Sequence, residues 1–403
     1  MYTRQERKSS ETILQDSGWM TVSLNRFIDW RAKRIDDPFN RLRYLRHATS
    51  ASMPARRFAG SFRLRRIHLL AAGSMLAFLV ISAYTISKRD TPVILPVPQF
   101  GAGGARVFPN VWLVDRNAQF EIYSNGLRIE DSYAVANEAR GSYPVFGRRH
   151  VEASPIEWRT QPAGIVYHTT ESNDVPFEPE ETSKLQRVGA NVLDRTRKYR
   201  SYHFVIDRFG RVFRIVNESD AANHAGWSLW GDDRVSYVNL NTCFLGVAFE
   251  TQTQQGELPS ANAAQIHSAR VLTEMLRSKY RIPASNCVTH AQVSVNPDNF
   301  LVGYHTDWAS NFPFSDLGLD DNYLEPPASI DTFGFSYDST FINATGTRIW
   351  QGLILAEEQV RAQALSQGLS VTQYRKVLHH KYREILAAVK TSSAVKEKSN
   401  ASQ

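Results

Sequence analysis

Residues 164–168 read Gly-Ile-Val-Tyr-His, an apolar run that ends in a polar side chain. A run of this length reads as a buried strand whose last residue emerges at the end of a sheet. The neighbouring sequence repeats the idea. Ser183 to Tyr199 is helical in pattern, and Phe244 to Phe249 is a second apolar strand. Tyr202 to Ile206 and Arg211 to Val216 are short strands around Asp207-Arg208-Phe209-Gly210, a hairpin turn with glycine where positive φ is easiest. Ala261 to Tyr280 carries Ile266, Val271, Leu272, Met275 and Leu276, a helix laid on a sheet. Cys287-Val288-Thr289-His290 again ends a strand in a histidine. Strands alternating with helices predict an α/β layer with functional groups gathered at strand ends.

The flanks are of other kinds. The chain has 403 residues, with 47 Lys+Arg against 40 Asp+Glu and a net charge of +7. Residues 1–66 hold 15 basic and 6 acidic residues, so the rest is slightly acidic. The two parts meet at Leu69 to Ile86, 18 residues without a charge, preceded by Arg63, Arg65 and Arg66. That length spans a bilayer core, and the basic side should face the cytoplasm. A cleaved signal peptide would begin near the terminus. The expected layout is a basic cytoplasmic tail at 1–66 and a transmembrane helix at 67–87. A linker and small β element follow at 88–150, a working domain at 151–325 and a C-terminal helical extension at 326–403.

Leu24, Phe27, Ile28 and Ile35 fall near helical spacing among Arg26, Arg31, Lys33 and Arg34. The tail therefore either lies on anionic lipid or is solvated and fixes topology. No recognition motif accompanies its charge, so nucleic acid is not expected as a partner. After Trp350, Leu353, Ile354, Val360 and Leu365 form one stripe. Gly368 breaks it, Ser370 caps the next helix, and Val371, Tyr374, Val377, Leu378, Ile385 and Leu386 form a second stripe. This helical hairpin is expected to pack on the domain or on a partner protein, with His379 and His380 solvated.

His168, His290 and Asp307 could bind zinc: two imidazoles and a carboxylate leave one tetrahedral position for water, as a catalytic zinc needs. Around them stand Val166-Tyr167-His168-Thr169-Thr170, the run from Ser201-Tyr202-His203 to Gly210-Arg211, and Asn223-His224-Ala225-Gly226-Trp227. Leu245-Gly246-Val247, Thr289-His290-Ala291-Gln292-Val293 and Thr306-Asp307 before Phe312-Pro313-Phe314 follow in order. Over roughly residues 160–318 this series resembles the zinc-dependent N-acetylmuramoyl-L-alanine amidase family, type 2, which includes the peptidoglycan-recognition proteins.

The resemblance implies a central mixed β-sheet flanked by helices, with Zn2+ on His168, His290 and Asp307. It implies Tyr202 as a catalytic tyrosine and His224 and Trp227 near the substrate groove. Two positions depart from the family. Its catalytic glutamate falls on Ala248, with Glu250 two residues on, and its oxyanion lysine falls on His305. The expected activity is hydrolysis of the amide between N-acetylmuramic acid and L-alanine in peptidoglycan, with His305 or Glu250 moving the proton. The resulting picture is a single-pass protein of the bacterial inner membrane with its domain in the periplasm. The rival is a silent peptidoglycan-binding or sensing module. Cys243 and Cys287 start strands that the resemblance makes neighbours, so either a disulfide or two buried thiols is expected.

Overall fold

The apolar runs of the middle region form the interior of a mixed sheet. The computed structural model describes residues 25–51, 108–148, 152–173, 175–253, 261–346 and 349–400. In chain order the elements begin with α1 (residues 25–32), α2 (Pro38–Ala51), β1 (Leu113–Arg116), β2 (Phe120–Tyr123), β3 (Arg128–Glu130) and β4 (Tyr143–Gly147). Next come β5 (Glu157–Arg159), β6 (Gly164–Thr169), α3 (Thr182–Tyr199), β7 (Phe204–Ile206), β8 (Val212–Arg214), β9 (Leu229–Gly231) and β10 (Val235–Val238). Then follow α4 (Leu240–Cys243), β11 (Phe244–Phe249), α5 (Ala263–Tyr280), β12 (Cys287–Thr289), α6 (His290–Val293), β13 (Val295–Asn296) and β14 (Leu301–Val302). The last are α7 (Ala328–Asp331), α8 (Ser339–Ala344), α9 (Gln351–Ser366) and α10 (Val371–Asn400).

Eight strands lie in the order β1-β2-β3-β8-β7-β11-β6-β12. β7, β11, β6 and β12 run parallel, whereas β8 is antiparallel to β7. Every residue of β6 and β11 is buried, which explains their continuous apolar character. α5 covers one face through Ala269, Leu272, Met275 and Leu276. Its start is fixed by a capping box between Asn262 and Gln265. Gly210 has φ 78 in the turn between β7 and β8, where Asp207 Oδ1 accepts from the Phe209 and Arg211 amides.

The strands before residue 150 are not a separate appendage. β3 pairs with β8 and so extends the main sheet, while β4 joins a second sheet, β5-β4-β10-β9. The buried Arg214 ties the extension down, donating to Glu121 at 2.7 Å and to Glu218 at 3.1 Å, with Asp131 also paired. Burial alone would raise the Glu121 pKa, but Arg214 and Tyr123 hold it down at about 2.

The disulfide expectation is corrected: Cys243 and Cys287 are both free and buried. β6 lies between β11 and β12, so the two cysteines sit at the starts of strands two positions apart. Two strand spacings are about 9.5 Å, beyond the Cα separation of about 7 Å that a disulfide tolerates. Burial pushes each thiol pKa up to about 12.

α9 and α10 pack on one another through a turn at Gly368, φ 66. Ser370 and Gln373 exchange a capping box at the start of α10. Leu353, Val360, Tyr374, Leu378 and Ile385 are buried, but Leu365 is 79% exposed and leaves the expected stripe. His379 is not simply solvated. Its ring stacks on Phe300 at 3.8 Å, and its Nε2 donates to the Gly334 carbonyl at 2.8 Å. His380 is exposed beside Glu384.

Residues 25–51 belong to the same compact unit as the domain. α2 begins at Asp37, whose Oδ1 accepts from the Phe39 amide, with Pro38 in the first turn. Ile28, Ala32, Leu42 and Leu45 enter a core with Phe333, Phe335, Tyr337 and Val360. Asp29 accepts from the Ser339 amide at 2.9 Å, Arg41 donates to the Tyr337 carbonyl at 3.1 Å, and Asp37 pairs with Arg361. These contacts need residues 25–51 and the domain on one side of any membrane. The expected span at 67–87 lies outside the described residues. Among the described residues no helix is long and apolar enough to cross a membrane.

Candidate metal centre and active site

The parallel strands deliver the central groups at their C-terminal ends, where open α/β sheets form crevices. His168 is the fifth residue of β6. His290 opens α6 directly after β12, its entry set by a capping box between Thr289 and Gln292. Asp307 arrives on the loop after β14. That loop is held against β6 by Trp308, whose Nε1 donates to the His168 carbonyl at 3.0 Å. Trp308 is fully buried at φ 56, a left-handed conformation that a bulky residue adopts only when its surroundings hold it there.

His168, His290 and Asp307 are all buried, and one ligand atom from each lies within 4.8 Å of the others. Asp307 Oδ1 is 2.8 Å from His290 Nδ1, and its Oδ2 is 3.3 Å from His168 Nδ1. Both Nδ1 atoms therefore face one carboxylate, as the donor set of a zinc site requires. His290 Nε2 is buried without a hydrogen-bond partner. Burial alone would raise the Asp307 pKa, but the two imidazoles hold it far below the carboxylate range. Burial and the neighbouring His290 push His168 down to about 4, so neutral imidazole is its resting form. The residues present fit a zinc ion.

Tyr202 and His305 flank the triad. The Tyr202 ring lies 5.1 Å from His168, and its hydroxyl donates to the Thr169 carbonyl at 3.3 Å. Burial raises its pKa, so the phenol stays protonated. His305 is exposed and stacks on His290 at 4.8 Å and 19°. Its backbone N–H donates to Ser294 Oγ.

The other expected site residues are Glu250, His224 and Trp227. Glu250 is buried one pleat beyond Ala248. Its carboxylate accepts from the Arg208 amide at 3.0 Å, and Gly189 of α3 lies against it. Burial raises its pKa to about 7, and its charged neighbours are Asp207, Arg208 and Arg211 rather than the triad. Ala248 is the register partner of His168, so no carboxylate occupies that place. His224 is buried, with both ring nitrogens engaged inside the protein. Trp227 is half-buried against the core of the C-terminal helices, with Lys390 of α10 5.3 Å above its ring.

Sequence reading missed Trp308 and Glu171. A tryptophan directly after a candidate ligand was a usable signal for the first. Glu171 had none. Its φ of 51 turns the chain after β6, and its carboxylate accepts from Thr169 Oγ1 and the Thr253 amide. Its charge acts on both Tyr202 and His305, which makes it the carboxylate at the rim of the site.

Residues 158–307 match the family model described as N-acetylmuramoyl-L-alanine amidase. Those residues are a domain of that family. The amidase domain is similar to three solved structures at low identity. AmiD from E. coli, in complex with anhydro-N-acetylmuramic acid-L-Ala-D-gamma-Glu-L-Lys, is 19% identical over 49% of this chain and 64% of that one, with a TM-score of 0.30. LysC, an N-acetylmuramoyl-L-alanine amidase from Clostridium intestinale, is 21% identical over 46% of this chain and 93% of its own, TM-score 0.24. The Drosophila peptidoglycan recognition protein SD is 18% identical over 40% of this chain and 84% of its own, TM-score 0.24. No curated protein sequence matches the chain.

Proposed function

We propose that the amidase domain is a zinc hydrolase. Its reaction is cleavage of the amide between N-acetylmuramic acid and L-alanine in peptidoglycan. The observation that carries this is the convergence of His168, His290 and Asp307 within 4.8 Å inside a domain of this family. His168, His290 and Asp307 would hold a zinc ion, which would supply Lewis acidity and activate water for attack. The chain's own groups then divide the remaining work. Tyr202 presents a protonated hydroxyl beside His168, where it can turn from the Thr169 carbonyl to a developing oxyanion. His305, exposed over His290, is placed to hand a proton to the leaving amine.

The apolar run within 67–87 is proposed to attach the chain to the bacterial inner membrane, with the domain on the peptidoglycan side. A single span also puts the segment before it opposite the domain. Residues 25–51 make their contacts with the domain only from its own side. The two arrangements exclude each other, and a cross-link distinguishes them.

One observation favours a silent peptidoglycan-binding module as the second reading: Ala248 lies beside His168, and Glu250 is turned under α3. The test is metal analysis of the purified chain together with release of stem peptides from cell-wall sacculi. The hydrolase reading expects one zinc per chain and peptide release that disappears in His168→Ala. Zinc with sacculus binding but no release would leave the binding module.

A further inference from the structure

We infer that His224 is a positioning residue that fixes the tautomer of His168 and aims its Nδ1 lone pair at the metal. The inference rests on the zinc reading and extends it to a residue outside the His168, His290 and Asp307 triad. It follows from which atoms can donate. His224 Nε2 lies 3.3 Å from the Phe244 carbonyl, which only accepts, so Nε2 carries the proton. The ring is buried and its nitrogens face the Phe244 carbonyl and the His168 ring rather than a carboxylate, so a neutral His224 has a bare Nδ1. That Nδ1 lies 3.1 Å from His168 Nε2. His168 must therefore donate from Nε2, and in the neutral ring its Nδ1 is a lone pair. Asp307 Oδ2 faces that lone pair at 3.3 Å. Two acceptors opposed in a buried site need a cation to share. The hydrogen-bond chain thus turns a neutral histidine into a ligand before any metal arrives.

The surroundings hold His224 to this task. Asn241 Oδ1 accepts from three successive backbone amides, those of His224, Ala225 and Gly226, at 2.9, 2.7 and 2.8 Å. The His-Ala-Gly stretch is a loop wound around one side chain, and it points the imidazole inward. Gly246 of β11 supplies the room, because a Cβ there would stand 2.7 Å from His224 Cγ. The Gly246 amide also donates to Nδ1 of the next buried histidine, His203, at 2.9 Å.

The test compares two polar variants in the purified full chain. In His224→Asn the amide oxygen stands near the Nδ1 position and can still accept from His168. In His224→Gln the amide reaches the Nε2 position, keeping the bond to Phe244 but leaving His168 without its acceptor. Zinc affinity is read by competition with a chromogenic chelator, and the melting of each zinc-free protein is followed beside it. The expected result is that Asn stays within about threefold of the parent while Gln loses about 10–100-fold in zinc affinity. Equal affinities for the two variants, or a larger loss in Asn than in Gln, would overturn the role. A parent chain that binds no zinc would remove the metal reading itself, and this inference with it.

Discussion

Replacing Glu250 by glutamine separates a buried charge from a catalytic one. The Glu250 pKa is raised from 4.5 to about 7, first by burial and then by Asp207, against the opposing Arg208 amide. The folded state therefore prefers the protonated acid. Its contribution to stability is fully present below pH 4.5 and is lost as pH rises through 7. From the two pKa values, ionisation favours unfolding by less than about 1 kcal/mol at pH 5 and by about 3 kcal/mol at pH 8. Glu250→Gln keeps an oxygen for the Arg208 amide and cannot ionise. Its stability relative to the parent should therefore rise by about 2–3 kcal/mol between pH 5 and pH 8. Terms that do not depend on pH cancel in that difference. Urea unfolding of both proteins at the two pH values measures it directly. Parallel pH profiles would refute the reasoning, because a carboxylate ionised equally in both states carries no such slope. The same variant should retain zinc and peptide release. A loss of release with zinc intact would return Glu250 to the catalytic role expected from sequence.

Gly246→Ala should push His224 aside, costing about 1–3 kcal/mol by overpacking and weakening zinc binding, which melting and chelator competition would record together. Arg140 is buried and donates to the carbonyls of Glu218, Thr242 and Asp220. Arg140→Met should destabilise by about 3 kcal/mol because those acceptors lose their donor, as denaturant unfolding would show. Asp29→Cys with Ser339→Cys tests the placement of residues 25–51. The contact between the Asp29 carboxylate and the Ser339 amide puts the pair within reach of a disulfide. The packing of Asp29 on Ser339 expects an intrachain bond, reversed by reduction, when membranes from cells are oxidised, whereas the proposed single span expects none. Its absence would leave residues 25–51 across the bilayer from the domain.

The convergence of His168, His290 and Asp307 was legible mainly through the ordered motifs that resemble the amidase family, with strand-end patterns marking the two histidines. Gly210 and Ser370 were legible because turns and caps are local, and a few side chains decide them. The cover over Glu250 was not legible, because strand periodicity gives a face but not what packs on it, and here α3 does so through Gly189. Of the two cysteine states expected, only the structure selects the buried thiols, because strand order is not written in chain order and β6 lies between the two strands.

By itself, then, the sequence determined the α/β pattern, the ligand chemistry and the division into a basic start, an apolar run and a near-neutral remainder. Each follows from residue type and short-range spacing. Only the tertiary structure decided that the His224 ring lies against His168, that Glu250 packs under α3, and that residues 25–51 share a core with α9. Those facts depend on contacts between residues tens to hundreds of positions apart, which no local pattern encodes.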